Sequence, residues 1–392
     1  MNKANARNVV IGCGIILSWK DSFSCSSPFE KSKFSNINNM NNQAFQTLKE
    51  LPTPLKESQC VSHKYELLIC GGYEQRACYS YHTLKNEYQF ICEYPRHVEL
   101  YGHCVVKMVD NNNKNSNQIT LLSFGGVHNH TLVMKYVSVW GNISNKSSKS
   151  SNFNRWIPFT DNHNRPIIIG REQDDYGGVR AVIGGSSNHL LFITHFRSNI
   201  SVFDLNTFQF IQHDTLPTDN IQYYCFVLKS KNERREEMMK TNKQNYQMLL
   251  FCRKIGLSIE YDEGNNSFQF HQLSVCKDIA PLYKYAYVCI NDVILFFGGW
   301  SYSNAFSKSV YKYSIRENKW MTFDNTLSNS LNNCVAILSE EDNDIHIIGG
   351  ENAKKTASKN EIKYIIEYWI RNLKIRLGWI DDFDKIIMKY SR

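Results

Sequence analysis

Few side chains in this chain of 392 residues stand at a spacing that suits chemistry. His128-x-His130 places two imidazoles within reach of one ion. A zinc site takes three or four protein ligands, and no third ligand can be assigned, so an exposed loop is the expectation. Asp174-Asp175 precedes Gly177-Gly178, a pattern that suits a cation and equally a turn. His195 and Arg253 occupy positions where kindred segments carry glycine. A side chain there is expected to crowd a central channel. No GxSxG nucleophile elbow and no GxxxxGK[ST] phosphate loop occurs in the sequence. The chain therefore reads as non-catalytic, with no cofactor and no metal.

The elements that position these residues follow one grammar, clearest in the stretch 291–323. Val293–Phe297 is a run of β-branched and aromatic residues, the composition of a buried strand. Gly298-Gly299 ends it, a pair that permits positive φ and close backbone approach. After a polar loop, residues 309–315 alternate as another strand, 316–319 form a hairpin turn, and Trp320 opens the next strand. Apolar runs also precede Gly71-Gly72, Gly125-Gly126 and Gly349-Gly350, while Thr194-His195 and Cys252-Arg253 end such runs without the doublet. The second marker residue falls at 72, 126, 195, 253, 299 and 350, giving intervals of 54, 69, 58, 46 and 51. Aromatics stand 7 apart in four units: Tyr81 and Tyr88, Phe203 and Phe210, Tyr261 and Phe268, Tyr313 and Trp320. Trp140 and Trp156 take that role in the second unit, separated by an Asn/Ser/Lys insertion. These rings read as core between sheets, and the glycines as positions crowded by the inner strands at the channel.

Strand-rich units at about 50 residues mark a propeller. On these residues the chain resembles a kelch-repeat β-propeller of the galactose-oxidase-like superfamily, over about 44–368. The resemblance implies an all-β fold of six blades. Residues 45–52 (FQTLKELP) match the outer strand of other units, and the sixth unit shows none after Gly350. The N-terminal strand is thus expected to complete the last blade and close the ring. The expected organisation is a poorly ordered extension at 1–43, the propeller at 44–370 and a helical segment at 371–392, where apolar residues recur every three or four positions. Insertions at 111–118, 141–155 and 229–247 read as solvated hairpin extensions.

A hydrophobic fraction of 42% with 13% aromatic residues supports a sizeable core. The net charge of +8 is scattered among acids, with no basic aromatic face for nucleic acid. The 12 cysteines form no CxxC and several sit in apolar strands, as small hydrophobes do in the reducing cytoplasm. Five Asn-x-Ser/Thr matches do not establish secretion, and the apolar run 9–19 is too short to span a bilayer and lacks a clear cleavage site. Kelch propellers use loops on one rim to hold a protein or peptide partner. The corresponding residues here are Tyr73, Arg76, His128, Arg197, Trp300 and Tyr302, suited to an acidic or aromatic segment. The expectation is a monomeric, cytoplasmic interaction scaffold that binds neither nucleic acid nor membrane. The alternative is a propeller enzyme of oxidase or sugar-epimerase type with its site at the channel mouth. The copper ligands of galactose-oxidase-like enzymes cannot be placed here residue by residue, so that activity is not carried over.

Overall fold

The computed structural model describes residues 45–109, 118–141, 152–171, 173–218, 221–229, 245–303, 305–323, 326–341, 344–352, 357–359 and 361–364. The extension at 1–43, the C-terminal helical segment and most of the three insertions lie outside the described residues.

The sheets are six antiparallel four-stranded blades. Closing the sixth is β1 (Phe45–Thr47). The first blade is β2 (Gln59–His63), β3 (Glu66–Gly72), β4 (Gln75–His82) and β5 (Glu87–Glu93), and the second is β6 (His103–Met108), β7 (Gln118–Gly125), β8 (His130–Val137) and β9 (Ile157–Pro158). The third is β10 (Arg180–Gly184), β11 (Leu190–His195), β12 (Asn199–Asp204) and β13 (Gln209–Thr215). The fourth is β14 (Cys225–Leu228), β15 (Asn245–Cys252), β16 (Ile255–Asp262) and β17 (Ser267–Gln272), followed by a short β18 (Leu282–Tyr283). The fifth is β19 (Ala286–Ile290), β20 (Val293–Phe297), β22 (Val310–Ser314) and β23 (Lys319–Thr322), with β21 (Trp300–Ser301) in its loop paired to β18. The sixth is β24 (Asn332–Leu338), β25 (Ile345–Glu351), β26 (Glu361–Tyr364) and β1, which pairs with β26 from Phe45↔Tyr364 to Thr47↔Ile362. The N-terminal strand closes the ring, as its sequence implies.

The seven-residue aromatic spacing has a geometric cause. Each pair faces itself across the turn between third and fourth strands, as Tyr81↔Tyr88, Phe203↔Phe210, Tyr261↔Phe268 and Tyr313↔Trp320. The rings fill the walls between blades. Phe192 of the third blade meets Tyr261 of the fourth edge-on at 5.1 Å, and Phe251 of the fourth meets Tyr313 of the fifth at 4.7 Å. Each such ring removes about 150–250 Å² from water.

Two expectations change. In the second blade the third-strand aromatic is Tyr136, fully buried, whereas Trp140 lies past the end of β8. The insertion after β8 let Trp140 imitate the spacing. The glycine doublets are crowded by linkers, not by the channel: the first glycine by the linker into the next blade, the second by the linker into its own. A Cβ on Gly349 would stand 2.5 Å from the Leu55 carbonyl oxygen, and one on Gly125 2.7 Å from Val179 Cγ1. The second glycine uses the same approach for a hydrogen bond: Gly350 N–H to Leu55 O at 2.8 Å, Gly299 N–H to Leu331 O at 2.8 Å, Gly126 N–H to Tyr176 O at 3.1 Å.

Two buried carboxylates also cross the walls. Glu66 accepts from Ser80 Oγ at 2.7 Å and from the Tyr136 hydroxyl of the second blade. Glu361 accepts from the Tyr88 hydroxyl of the first blade and has His346 Nδ1 at 2.8 Å. Burial raises the Glu361 pKa well above the ordinary carboxyl value.

Candidate functional site on the loop face

Hairpin alternation puts the loop between second and third strands on the same face as the linker into the first strand. Each linker carries the same local structure, an apolar buried residue, one spacer, then a residue in the left-handed region. The apolar positions are Leu55, Leu100, Tyr176, Ile221, Leu282 and Leu331. The left-handed positions are Glu57 (φ 55°), Gly102 (68°), Gly178 (78°), Tyr223 (49°), Lys284 (58°) and Asn333 (54°). Four hydrogen bonds join them from blade to blade around the axis. They are Glu57 N–H to Asn333 O at 2.8 Å, Asn333 N–H to Lys284 O at 2.9 Å, Lys284 N–H to Tyr223 O at 3.4 Å and Gly178 N–H to Gly102 O at 2.9 Å. Non-glycine residues accept this strained conformation where surrounding contacts fix it. Sequence reasoning missed this motif because its residue types differ and only the backbone repeats.

Side chains of this ring close the axis. A Cβ on Gly102 would lie 3.1 Å from the Tyr223 hydroxyl, and one on Gly178 3.3 Å from the Tyr223 ring, so glycine leaves room for that tyrosine. The Tyr223 hydroxyl donates to Glu57 at 3.3 Å, Lys284 Nζ lies 3.3 Å from the same carboxylate, and Lys284 also sits 4.3 Å over the Tyr223 ring. Burial, then the Glu57 charge, raises the Tyr223 pKa. Beside this lid Lys56 pairs with Glu351 at 3.3 Å and lies 4.4 Å over Tyr73, which packs on Tyr101 at 4.9 Å. The Tyr73 hydroxyl is held in its neutral form by its hydrogen bond to Glu74 and that carboxylate's charge.

The β18–β21 ribbon builds a second cluster between the fourth and fifth blades. Its register sets Tyr283 opposite Trp300, with ring centroids 5.0 Å apart, and Tyr302 closes the group at 4.9 Å from Tyr283. Arg253, from the second-to-third-strand turn of the fourth blade, lies 4.9 Å over Tyr283 and 4.3 Å over Tyr302, and donates to the Tyr302 hydroxyl. Burial, then its neighbour Tyr302, pushes the Tyr283 hydroxyl up to about 12. Tyr302 is 67% exposed, and the buried Trp300 Nε1–H has no acceptor among the described residues. The chain neighbours Lys254 and Pro281 line an adjoining groove of about 460 Å³, with Val275, Lys277 and Ala280.

Among the residues singled out from sequence, the structure brings Trp300 and Tyr302 together. Tyr73 stands with the lid. Arg76 lies on β4, where its guanidinium is 3.9 Å from Glu93. His128 is exposed and 3.1 Å from Glu99, and Arg197 is exposed on the third blade's turn with φ 63°. The His-x-His pair divides: His130 points inward to Ser123 Oγ at 2.8 Å, so the two rings share no ligand. Asp174 is gripped by Arg171 at 2.9 Å and Asp175 accepts the Gly177 N–H at 2.8 Å, which is turn structure. His195 is fully buried and stacks on Tyr176 at 4.7 Å, and Arg253 turns out to the rim, so neither crowds the channel. Among the described residues no group of three or more His, Cys, Asp or Glu is placed to hold a metal, and no helix is long and apolar enough to cross a membrane.

Comparison with known proteins agrees with this geometry. Residues 281–324 match the Kelch motif, a span that holds the β18–β21 ribbon and the fifth blade. The solved structure of YjhT superposes with a TM-score of 0.52 at 14% identity, covering 80% of this chain and 95% of its own. At that identity the likeness shows the fold alone. Solved chains with similar architecture number 1057, so the architecture by itself assigns no activity. No curated protein matches the chain by sequence. The chain is a six-bladed β-propeller whose fifth blade carries a Kelch motif.

Proposed function

We propose that this propeller is a non-catalytic interaction module that takes a protein or peptide partner on its loop face. The cluster of Arg253, Tyr283, Trp300 and Tyr302 is the anchor. The observation that carries this reading is an exposed aromatic group with donors left over. Arg253 is fixed between two tyrosines, and the Trp300 N–H still lacks an acceptor among the described residues. Aromatic and arginine side chains of this kind dominate binding energy at interfaces, and the guanidinium has lost its freedom before a partner arrives. The lysines of the adjoining groove favour an acidic or aromatic segment. The channel mouth offers less to the oxidase or epimerase alternative, because Glu57 is already engaged by Lys284 and Tyr223. The ten described cysteines carry free thiols, which supports a reducing, cytoplasmic setting.

The test is affinity capture from the source cells with wild type and a Tyr302→Ser/Arg253→Ala variant. Proteins captured by wild type and lost from the variant, at unchanged melting temperature, support the reading. Equal capture by both sinks it.

A further inference from the structure

We infer that the channel beneath the lid is a binding site for a small oxyanion, held by Arg180. This stands apart from the partner-binding reading, since no residue of the Arg253 cluster takes part. Arg180 opens β10 two residues after Gly178, so a rise of about 3.3 Å per residue sets it roughly 7 Å deeper than the ring. The backbone there is held firmly: Thr194 Oγ1 donates to the Arg180 carbonyl at 3.3 Å and itself accepts from the Tyr224 hydroxyl at 2.8 Å.

Arg180 is half-buried, and its Nη1 donates to the Val179 carbonyl at 2.8 Å. That uses one of five N–H donors. No carboxylate among the described residues pairs with it. Glu57 goes to Lys284 and Tyr223, and Glu351 to Lys56 and Asn333. The groups that act on Arg180 electrostatically include Tyr287, Cys104, Tyr224, Tyr223, His103 and Cys225, from the second, fourth and fifth blades. All six are neutral side chains at pH 7: burial is the first cause that raises the pKa of the tyrosines and cysteines and lowers that of His103.

A guanidinium drawn out of bulk water needs acceptors for its remaining N–H groups. Its planar fork matches two oxygens of one phosphate, sulfate or carboxylate. The Lys284–Glu57 pair above is self-neutralising, so the charge of Arg180 is left for the ligand.

The experiment uses the purified full chain at fixed ionic strength in chloride. Equilibrium dialysis with radiolabelled inorganic phosphate is expected to show one saturable site, and sulfate and acetate as competitors rank the three oxyanions. Arg180→Lys keeps the charge without the fork and should weaken binding at least about tenfold, while Arg180→Met abolishes it. Phosphate at tenfold excess over its Kd should raise the wild-type Tm by about 2–4 °C. In crystals grown with selenate, the anomalous peak should lie within hydrogen-bond reach of Arg180. The inference falls if none of the three anions binds saturably, if Arg180→Met binds as wild type does, or if selenate sits elsewhere. Should Arg180→Met fail to fold, the Arg180→Lys affinity and the selenate position decide the matter.

Discussion

Two walls of the ring do the same job with different chemistry. Between the sixth and first blades the chain backbones touch: Gly349-Gly350 lets Leu55 approach until its carbonyl takes the Gly350 N–H. Between the fourth and fifth blades there is no doublet, and Cys252-Arg253 stands in its place. There Tyr285 spans the gap instead, donating its hydroxyl to the Phe251 carbonyl at 2.7 Å, while Phe251, Phe296, Tyr313 and Trp320 fill the space with rings. The third-to-fourth wall repeats the device with Tyr224 on Thr194. A wall of backbone contact tolerates no side chain at its doublet. A wall of tyrosine leaves that position free to carry a functional group, and Arg253 is such a group.

Of the single substitutions, breaking the backbone wall should cost most. Gly349→Ala forces a methyl onto the Leu55 carbonyl at φ 67°, and we expect a loss of roughly 3–5 kcal/mol in urea unfolding. An unchanged midpoint would refute the close-approach account.

Acid comes next. Burial lowers the pKa of His103 to about 3 and of His130 and His195 to about 4. Each stays neutral in the fold and takes up a proton near pH 6.5 when unfolded. The unfolded state therefore binds more protons below pH 6.5, so stability is full above that value and lost as pH falls toward 4. Between pH 7.5 and 5 the loss should be about 2 kcal/mol for each histidine. Denaturant midpoints that do not move over this range would contradict their buried, neutral state.

The tyrosine walls should yield less. Tyr285→Phe removes the hydrogen bond to the Phe251 carbonyl while keeping the ring, an expected cost of about 1 kcal/mol by urea unfolding. Smallest of all is Arg253→Gly. It relieves φ 53° and removes the rim cation, so stability should change by less than about 1 kcal/mol. Partner capture is the measurement that should respond. A large loss of stability would mean that Arg253 is part of the wall after all.

The comparison also explains what the sequence could reveal. Close backbone approach admits one residue type, so four doublets announced four blades, and the facing aromatics announced the third and fourth strands. Tyr285 and Tyr224 gave no such signal, because a tyrosine before a strand has many uses. Of the loop face, Trp300 and Tyr302 were legible from their place after a doublet. Tyr283 and Arg253, the partners that turn them into a site, come from a linker and from the neighbouring blade's turn. The lid was hidden more completely: Glu57, Gly102, Gly178, Tyr223, Lys284 and Asn333 share a dihedral angle and no chemistry.

The junction of β1 with β26 sets an order on synthesis. Phe45–Thr47 leaves the ribosome early, yet its pairing residues, Glu361–Tyr364, are made some 300 positions later. At about 5–20 residues per second the first strand waits on the order of 15–60 s for its neighbour. During that interval five blades stand as an arc with a bare edge at each end. Chaperone demand should therefore peak late in translation, and a version with its ends relocated to an exposed turn would escape the delay.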